Sequence, residues 1–145
     1  MKNIVLIGIM GCGKTTCGKF LTQKLQNFEF LDTDCEIESQ QNMKISQIFA
    51  QFGENYFRNL ENNLIKQFVK NSNKVVATGG GVVENYENLK LLLRYDTVFY
   101  LNTPLEIVRT RIQNDKTRPL AYNFEEKFKN REEKYKQAHF VIDTY

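Results

Sequence analysis

The sequence predicts an α/β fold, a parallel sheet covered by helices on both faces. Three observations point to it. Short apolar runs alternate with stretches of helical spacing along the whole chain. The first of these runs is continuous and rich in β-branched residues, as a strand buried on both faces is. Glycine or acidic residues stand at three of the first four strand exits, where such sheets bind ligands.

The elements follow in order. Asn3 to Ile7 is a strand that ends at Gly8. Residues 14–27 then show helical spacing at Phe20, Leu21, Leu25 and Phe28. Phe28 to Leu31 is a second strand, ending at Asp32. Ile45, Ile48, Phe49 and Phe52 mark one helix face, closed by Gly53. Phe57, Leu60, Leu64 and Phe68 mark a helix over residues 54–70. Val75 to Thr78 is a third strand, stopped by Gly79, Gly80 and Gly81. Leu89 to Leu93 is helical, and Thr97 to Leu101 is a fourth strand. Pro104 suits the first turn of the next helix. Phe124 to Gln137 is a last helix and Phe140 to Ile142 a fifth strand.

A chain of 145 residues is one domain, spanning 1–145. A net charge of +3 is too small to argue for nucleic acid, and the aromatic residues fall at core spacing instead of among the basic ones. Three cysteines, with no Cys-x-x-Cys pattern, fit a reducing compartment. The longest apolar run, Ile4 to Ile7, cannot span a bilayer. Met1-Lys2 and the apolar residues after it lead into Gly-Lys-Thr-Thr, not into a cleavage site for a signal peptide. A cytoplasmic location is therefore expected, with no membrane partner. His139 is expected to be structural or exposed.

Gly8-Ile9-Met10-Gly11-Cys12-Gly13-Lys14-Thr15 satisfies G-x-x-x-x-G-K-[ST], between a strand and a helix. Glycines let successive N–H groups turn toward phosphate oxygens. The helix that follows presents its positive end to the same anion. Lys14 would reach the outer phosphates, and Thr15 would offer its hydroxyl to Mg²⁺. Cys12 reads as a small loop residue.

Further along, Asp32 and Asp34 stand at i and i+2, which on an extended chain point the same way. One could hold Mg²⁺ and the other could orient an attacking hydroxyl. A turn with a helix cap is the competing reading. Arg58 and Glu61 are three apart on a helix, so they meet on one face. Arg58 is either a surface ion pair or a fork for a carboxylate that Glu61 holds in place. Three consecutive glycines weaken regular structure, so close approach to the backbone should need Gly79 to Gly81. Arg109, Arg111, Lys116 and Arg118 cluster within ten residues, with Arg131 beyond. Such a run is either a solvated face or a site for an anionic small molecule. Guanidinium groups of Arg118 and Arg131 converging on one site would suit a phosphoryl group or a carboxylate.

With these motifs in order, including Phe57-Arg58-x-x-Glu61 and Arg118-Pro119-Leu120, nearly the whole chain resembles the shikimate kinases. The resemblance implies a three-layer α/β/α P-loop kinase fold with a five-stranded parallel sheet in the order 2-3-1-4-5. It implies transfer of the ATP γ-phosphate to shikimate, in the route to aromatic amino acids. By the same resemblance, Gly11, Cys12, Gly13, Lys14, Thr15 and Thr16 bind ATP. Thr15 and Asp32 organise Mg²⁺. Asp34 contacts the acceptor hydroxyls and is the base. Arg58 and Arg131 grip the acceptor carboxylate, and Gly79, Gly80 and Gly81 line its pocket. Lys14 and Arg118 act on the transferring phosphate, and Arg111 lies against adenine. The acceptor region is expected over about 33–61, a lid over about 112–124, and the protein as a monomer.

Two departures stand out. The interval from Arg118 to Arg131 is shorter than in the family, and Arg131 is followed by Glu132-Glu133-Lys134-Tyr135 where Arg-x-Pro-Leu-Tyr is usual. The sequence also stops just after the fifth strand. These departures predict that lid and tail segments are missing, with a break between Pro119 and Phe124. Gluconate kinases and nucleoside-monophosphate kinases would keep residues 8–15 but need no carboxylate pocket at Arg58 and Arg131. A regulator without catalysis would have no use for both Lys14 and Asp34.

Overall fold

A computed structural model describes residues 2–114 and 124–144. Five strands form one sheet in the order β2-β3-β1-β4-β5, and every pairing is parallel. The strands are β1 (Ile4–Ile7), β2 (Glu29–Asp32), β3 (Lys74–Ala77), β4 (Thr97–Asn102) and β5 (Phe140–Asp143). Helices cover both faces, as the alternating pattern predicts. They are α1 (Lys14–Lys24), α2 (Thr33–Gln41), α3 (Ile45–Phe52), α4 (Glu54–Phe68), α5 (Tyr86–Tyr95), α6 (Leu105–Asn114) and α7 (Phe124–Tyr135). A single 3-10 turn, Val82–Glu84, follows β3.

The central strand β1 is the most apolar. Val5, Leu6 and Ile7 are buried, and so are Val75, Val76 and Ala77 beside them. Continuous apolar runs give this result because both faces of a central parallel strand meet helices. Asn3 fastens the lower end of β1. Its amide donates to Phe68 O at 3.0 Å, and its carbonyl accepts from Lys74 N at 3.0 Å. His139 is structural, as expected: Nδ1 accepts from Val98 N at 3.0 Å, locking the start of β4.

The register brings the functional exits together. Ala77 pairs with Leu6 on one side and with Asp32 on the other. The chain after Ile7, the Asp32–Asp34 segment and the glycine triplet therefore leave the sheet at one level, side by side.

Two local expectations fail. The first helix stops at Lys24, where Leu25 turns extended, instead of continuing to residue 27. Its inward face is Lys14 and Gly18, while Phe20 stands 57% exposed. The cause is close packing on the sheet: a Cβ at Gly18 would lie 2.6 Å from the Phe30 ring. The second concerns Asp32-Thr33-Asp34. Helix α2 begins at Thr33, so the two carboxylates do not alternate along an extended chain. A cap is present, but Asp32 supplies it, accepting from Cys35 N at 3.1 Å. The expected break between Pro119 and Phe124 lies outside the described residues, and so does most of the lid region.

Candidate active site

The loop from Gly8 to Gly13 joins β1 to α1. Gly13 holds φ 101°, a left-handed conformation that residues with a Cβ rarely adopt, and α1 starts there with no side-chain cap. Its first N–H groups are left for an outside acceptor. Lys14 is buried along the loop, its Nζ donating to Gly8 O at 2.6 Å and Ile9 O at 3.0 Å. Cys12 fills the space beneath: its thiol is buried, and its carbonyl accepts from Thr103 Oγ1 at 3.2 Å. A Cβ on Gly8 would lie 2.8 Å from that sulfur, so Cys12 supports the loop from below. Arg111, on α6, donates from Nη1 to Gly11 O at 3.0 Å.

Thr15 and Asp32 meet across the gap between α1 and β2. The hydroxyl of Thr15 donates to Asp32 Oδ2 at 3.1 Å. Two hard oxygen donors at the mouth of a phosphate loop suit Mg²⁺, which takes one or two protein oxygens and completes its shell with phosphate and water. Asp34, one helical turn's start further on, lines the same cleft as Lys14. Burial raises its carboxyl from 3.8 to about 6, and the Asp32 charge adds to the rise, while Lys14 and Arg58 pull against it.

Each glycine of the triplet faces one of the predicted side chains. A Cβ on Gly79 would come within 2.7 Å of Asp34 Oδ1. A Cβ on Gly80 would lie 3.3 Å from Met10 N in the phosphate loop and 3.8 Å from Arg131 Nη1. A Cβ on Gly81 would lie 2.7 Å from Arg58 Cζ. None of the three has positive φ. Space, not backbone conformation, is what requires bare backbone here, and the space is taken up by the chain's own acidic and basic groups. Thr33 pins the first glycine, its Oγ1 accepting from Gly79 N at 3.2 Å.

Arg58 is held by two carboxylates, Glu61 at 2.7 Å and Glu54 at 3.3 Å. Glu61 is almost fully buried, and its second oxygen, Oε2, has no hydrogen-bond partner. Burial pushes its carboxyl up to about 7, against the opposing pull of Arg58. Arg131, on α7, donates from Nε to Glu84 Oε1 at 2.8 Å.

A cleft of about 1180 Å³ runs from Gly11–Thr16 past Asp32 and Asp34 to Gly79 and Gly80. Arg58, Gly81 and Arg131 do not line it; they adjoin it across the triplet. The phosphate-loop motif, the half-buried Asp34 carboxylate and the guanidiniums of Arg131 and Arg58 thus follow one another along the glycine triplet.

A family model described as Shikimate kinase matches residues 10–144. The chain belongs to the shikimate kinase family. A shikimate kinase of Persephonella marina is 44% identical over 148 residues, covering 99% of this chain and 90% of that one. One from Macrococcus caseolyticus is 49% identical over 119 residues, covering 82% of this chain and 70% of that one. The solved shikimate kinase of Acinetobacter baumannii, in complex with shikimate, superposes with a TM-score of 0.91 at 38% identity. That match covers 100% of this chain and 84% of the other.

In this shikimate kinase family member, the structure brings together Gly11 to Thr16, Asp32, Asp34, Gly79, Gly80 and Arg111 around one cleft. Arg118 lies outside the described residues. The sequence reading overlooked Thr33, Glu84 and Tyr135. Tyr135 carried a usable signal, since it follows Arg131 by one helical turn, and its OH donates to Gly80 O. Glu84 carried none, because its partner is 47 residues away.

Proposed function

We infer that the chain transfers the γ-phosphate of ATP to a hydroxyl of shikimate. The observation that carries the assignment of roles is the glycine triplet, whose bare backbone admits Asp34, Arg131 and Arg58 side by side, next to the phosphate loop.

The triphosphate lies in the Gly11–Thr16 cradle, with Lys14 leaving the loop carbonyls for the outer phosphates. Thr15 and Asp32 hold Mg²⁺, which neutralises phosphate charge. Arg58 and Arg131 take the shikimate carboxylate, each offering N–H groups in a planar fork. That contact orients the ring with a hydroxyl at Asp34. As the new O–P bond forms and the bond to the ADP oxygen breaks, Asp34 takes the hydroxyl proton. A raised carboxyl pKa suits this work, because a base near neutrality both accepts and later releases a proton. The transition state of phosphoryl transfer is loose, so positioning and charge neutralisation dominate. Arg118 would add positive charge at the transferring group. Arg111, beside the loop, would flank the nucleotide base. Residues 33–61 form the acceptor region and 112–124 the lid in this reading. The free thiols of Cys12, Cys17 and Cys35 are in keeping with a cytoplasmic location.

The test is coupled ADP release with ATP and Mg²⁺, with and without shikimate, against a panel that includes gluconate. Shikimate-dependent ADP release is the expected result. Release with gluconate alone would replace the assignment by that of another small-metabolite kinase.

A further inference from the structure

Arg131 is held from a direction that no local pattern announces. Its Nε donates to Glu84 Oε1 at 2.8 Å, and the two side chains are only 14% and 34% exposed. Glu84 ends the 3-10 turn that follows the glycine triplet, so the ion pair ties α7 to the triplet's own exit. Nη1 of the same guanidinium lies at the Gly80 backbone. One helical turn further on, Tyr135 is fully buried, stacks on Tyr100 with ring centroids 5.2 Å apart, and donates its OH to Gly80 O. Burial alone would raise the Glu84 carboxyl, but the hydrogen bond and charge of Arg131 outweigh it and hold the group below its ordinary value. Lys134 and Arg58 pull in the same direction.

We propose that Glu84 is a positioning residue for acceptor binding: by engaging Nε of Arg131, it turns the guanidinium's terminal edge toward the glycine triplet and the acceptor carboxylate. The inference rests on the assignment of Arg131 to that carboxylate. A guanidinium is planar, so fixing Nε fixes the plane in which the remaining N–H groups point. Without Glu84, the long side chain would have to be ordered by the substrate at the moment of binding, and affinity would drop by that amount. Among the described residues, the Glu84 side chain hydrogen-bonds neither the phosphate loop nor Asp34, so the nucleotide side should not notice its loss.

Steady-state kinetics on the full chain test the proposal, with Glu84→Ala, Glu84→Gln, Arg131→Ala and the double variant. Glu84→Ala is expected to raise the shikimate KM by about 10-fold, with the ATP KM and kcat changed by less than about twofold. Glu84→Gln keeps an oxygen acceptor but not its charge, and should cost about threefold. In the Arg131→Ala background, Glu84→Ala should add nothing to the loss in kcat/KM. An unchanged or lowered shikimate KM would overturn the proposal, and so would a loss that persists in full without Arg131. If Glu84→Ala does not fold, Glu84→Gln decides by the same criteria. A wild-type protein with no shikimate-dependent ADP release would overturn the functional assignment and this inference together. A working wild type with an indifferent Glu84 overturns this inference alone.

Discussion

Replacing Asp34 by Asn should stabilise the protein and disable it together. The carboxyl is raised from 3.8 in an open chain to about 6 in the fold, with burial as the main cause. At 1.36 kcal/mol per pH unit, that gap corresponds to about 3 kcal/mol against the folded state at neutral pH. Water reaches this half-buried group, so a gain of about 1–3 kcal/mol is expected for the neutral isostere at pH 7. For a domain of this size that is ~2–10 °C in Tm. The sign follows from proton counts. Between 3.8 and about 6 the folded protein holds a proton that the unfolded chain has released. Wild-type stability therefore falls as pH rises through that window and is level above it. The Asn variant lacks this dependence, so its advantage should be full above about pH 6.5 and mostly gone by about pH 4. Urea or thermal unfolding of both proteins across this range measures it. kcat should fall by about 10²–10⁴-fold, with ATP binding retained. An advantage that is absent at pH 7, or that does not shrink on acidification, would refute burial as the origin of the raised carboxyl. Near-normal turnover would remove Asp34 from the chemistry.

Other outcomes are expected elsewhere around the site. Arg58→Ala should raise the shikimate KM about 10-fold or more, because a charge-assisted fork is lost and the Glu61 carboxylate is left buried without its partner; an unchanged acceptor KM would reduce Arg58 to a structural ion pair. Gly79→Ala should lower kcat by about 10-fold with little change in Tm, since the new methyl displaces Asp34 from a site 2.7 Å away while the backbone tolerates a side chain. A Tm drop without a kcat effect would show that Asp34 moves harmlessly. Asp32→Asn should raise the Mg²⁺ concentration needed for half-maximal rate by about 10-fold, as a charged donor becomes neutral. The same change keeps an oxygen to cap α2, so unfolding should shift by less than about 1 kcal/mol. An Mg²⁺ titration that matches wild type would remove Asp32 from the metal site.

How much of this was legible in the sequence differs from residue to residue. The strands were legible because continuous β-branched runs have few other ways to be buried. The phosphate loop was legible because its glycines, Lys14 and Thr15 act through backbone geometry that is local. Arg58 with Glu61 was legible for the same reason, as helix neighbours three residues apart. The first helix was misjudged because apolar spacing at Phe20 and Leu25 competes with Gly18, whose lack of a side chain lets α1 sit against Phe30. Asp32 and Asp34 do line one cleft, but not as alternating residues of an extended chain, since α2 starts between them.

The sequence by itself determined the fold class, the order of the strands' signals and the chemical type of each group in the cleft. It could do so because those properties depend on periodicity, on glycine placement and on charges a few residues apart. Only the tertiary structure decided what the glycine triplet makes room for, which carboxylate caps α2, and that Glu84 anchors Arg131 from 47 residues away. Those facts depend on the parallel register that sets Ala77 between Leu6 and Asp32. Register joins segments far apart in the chain, and no short stretch of residues records it.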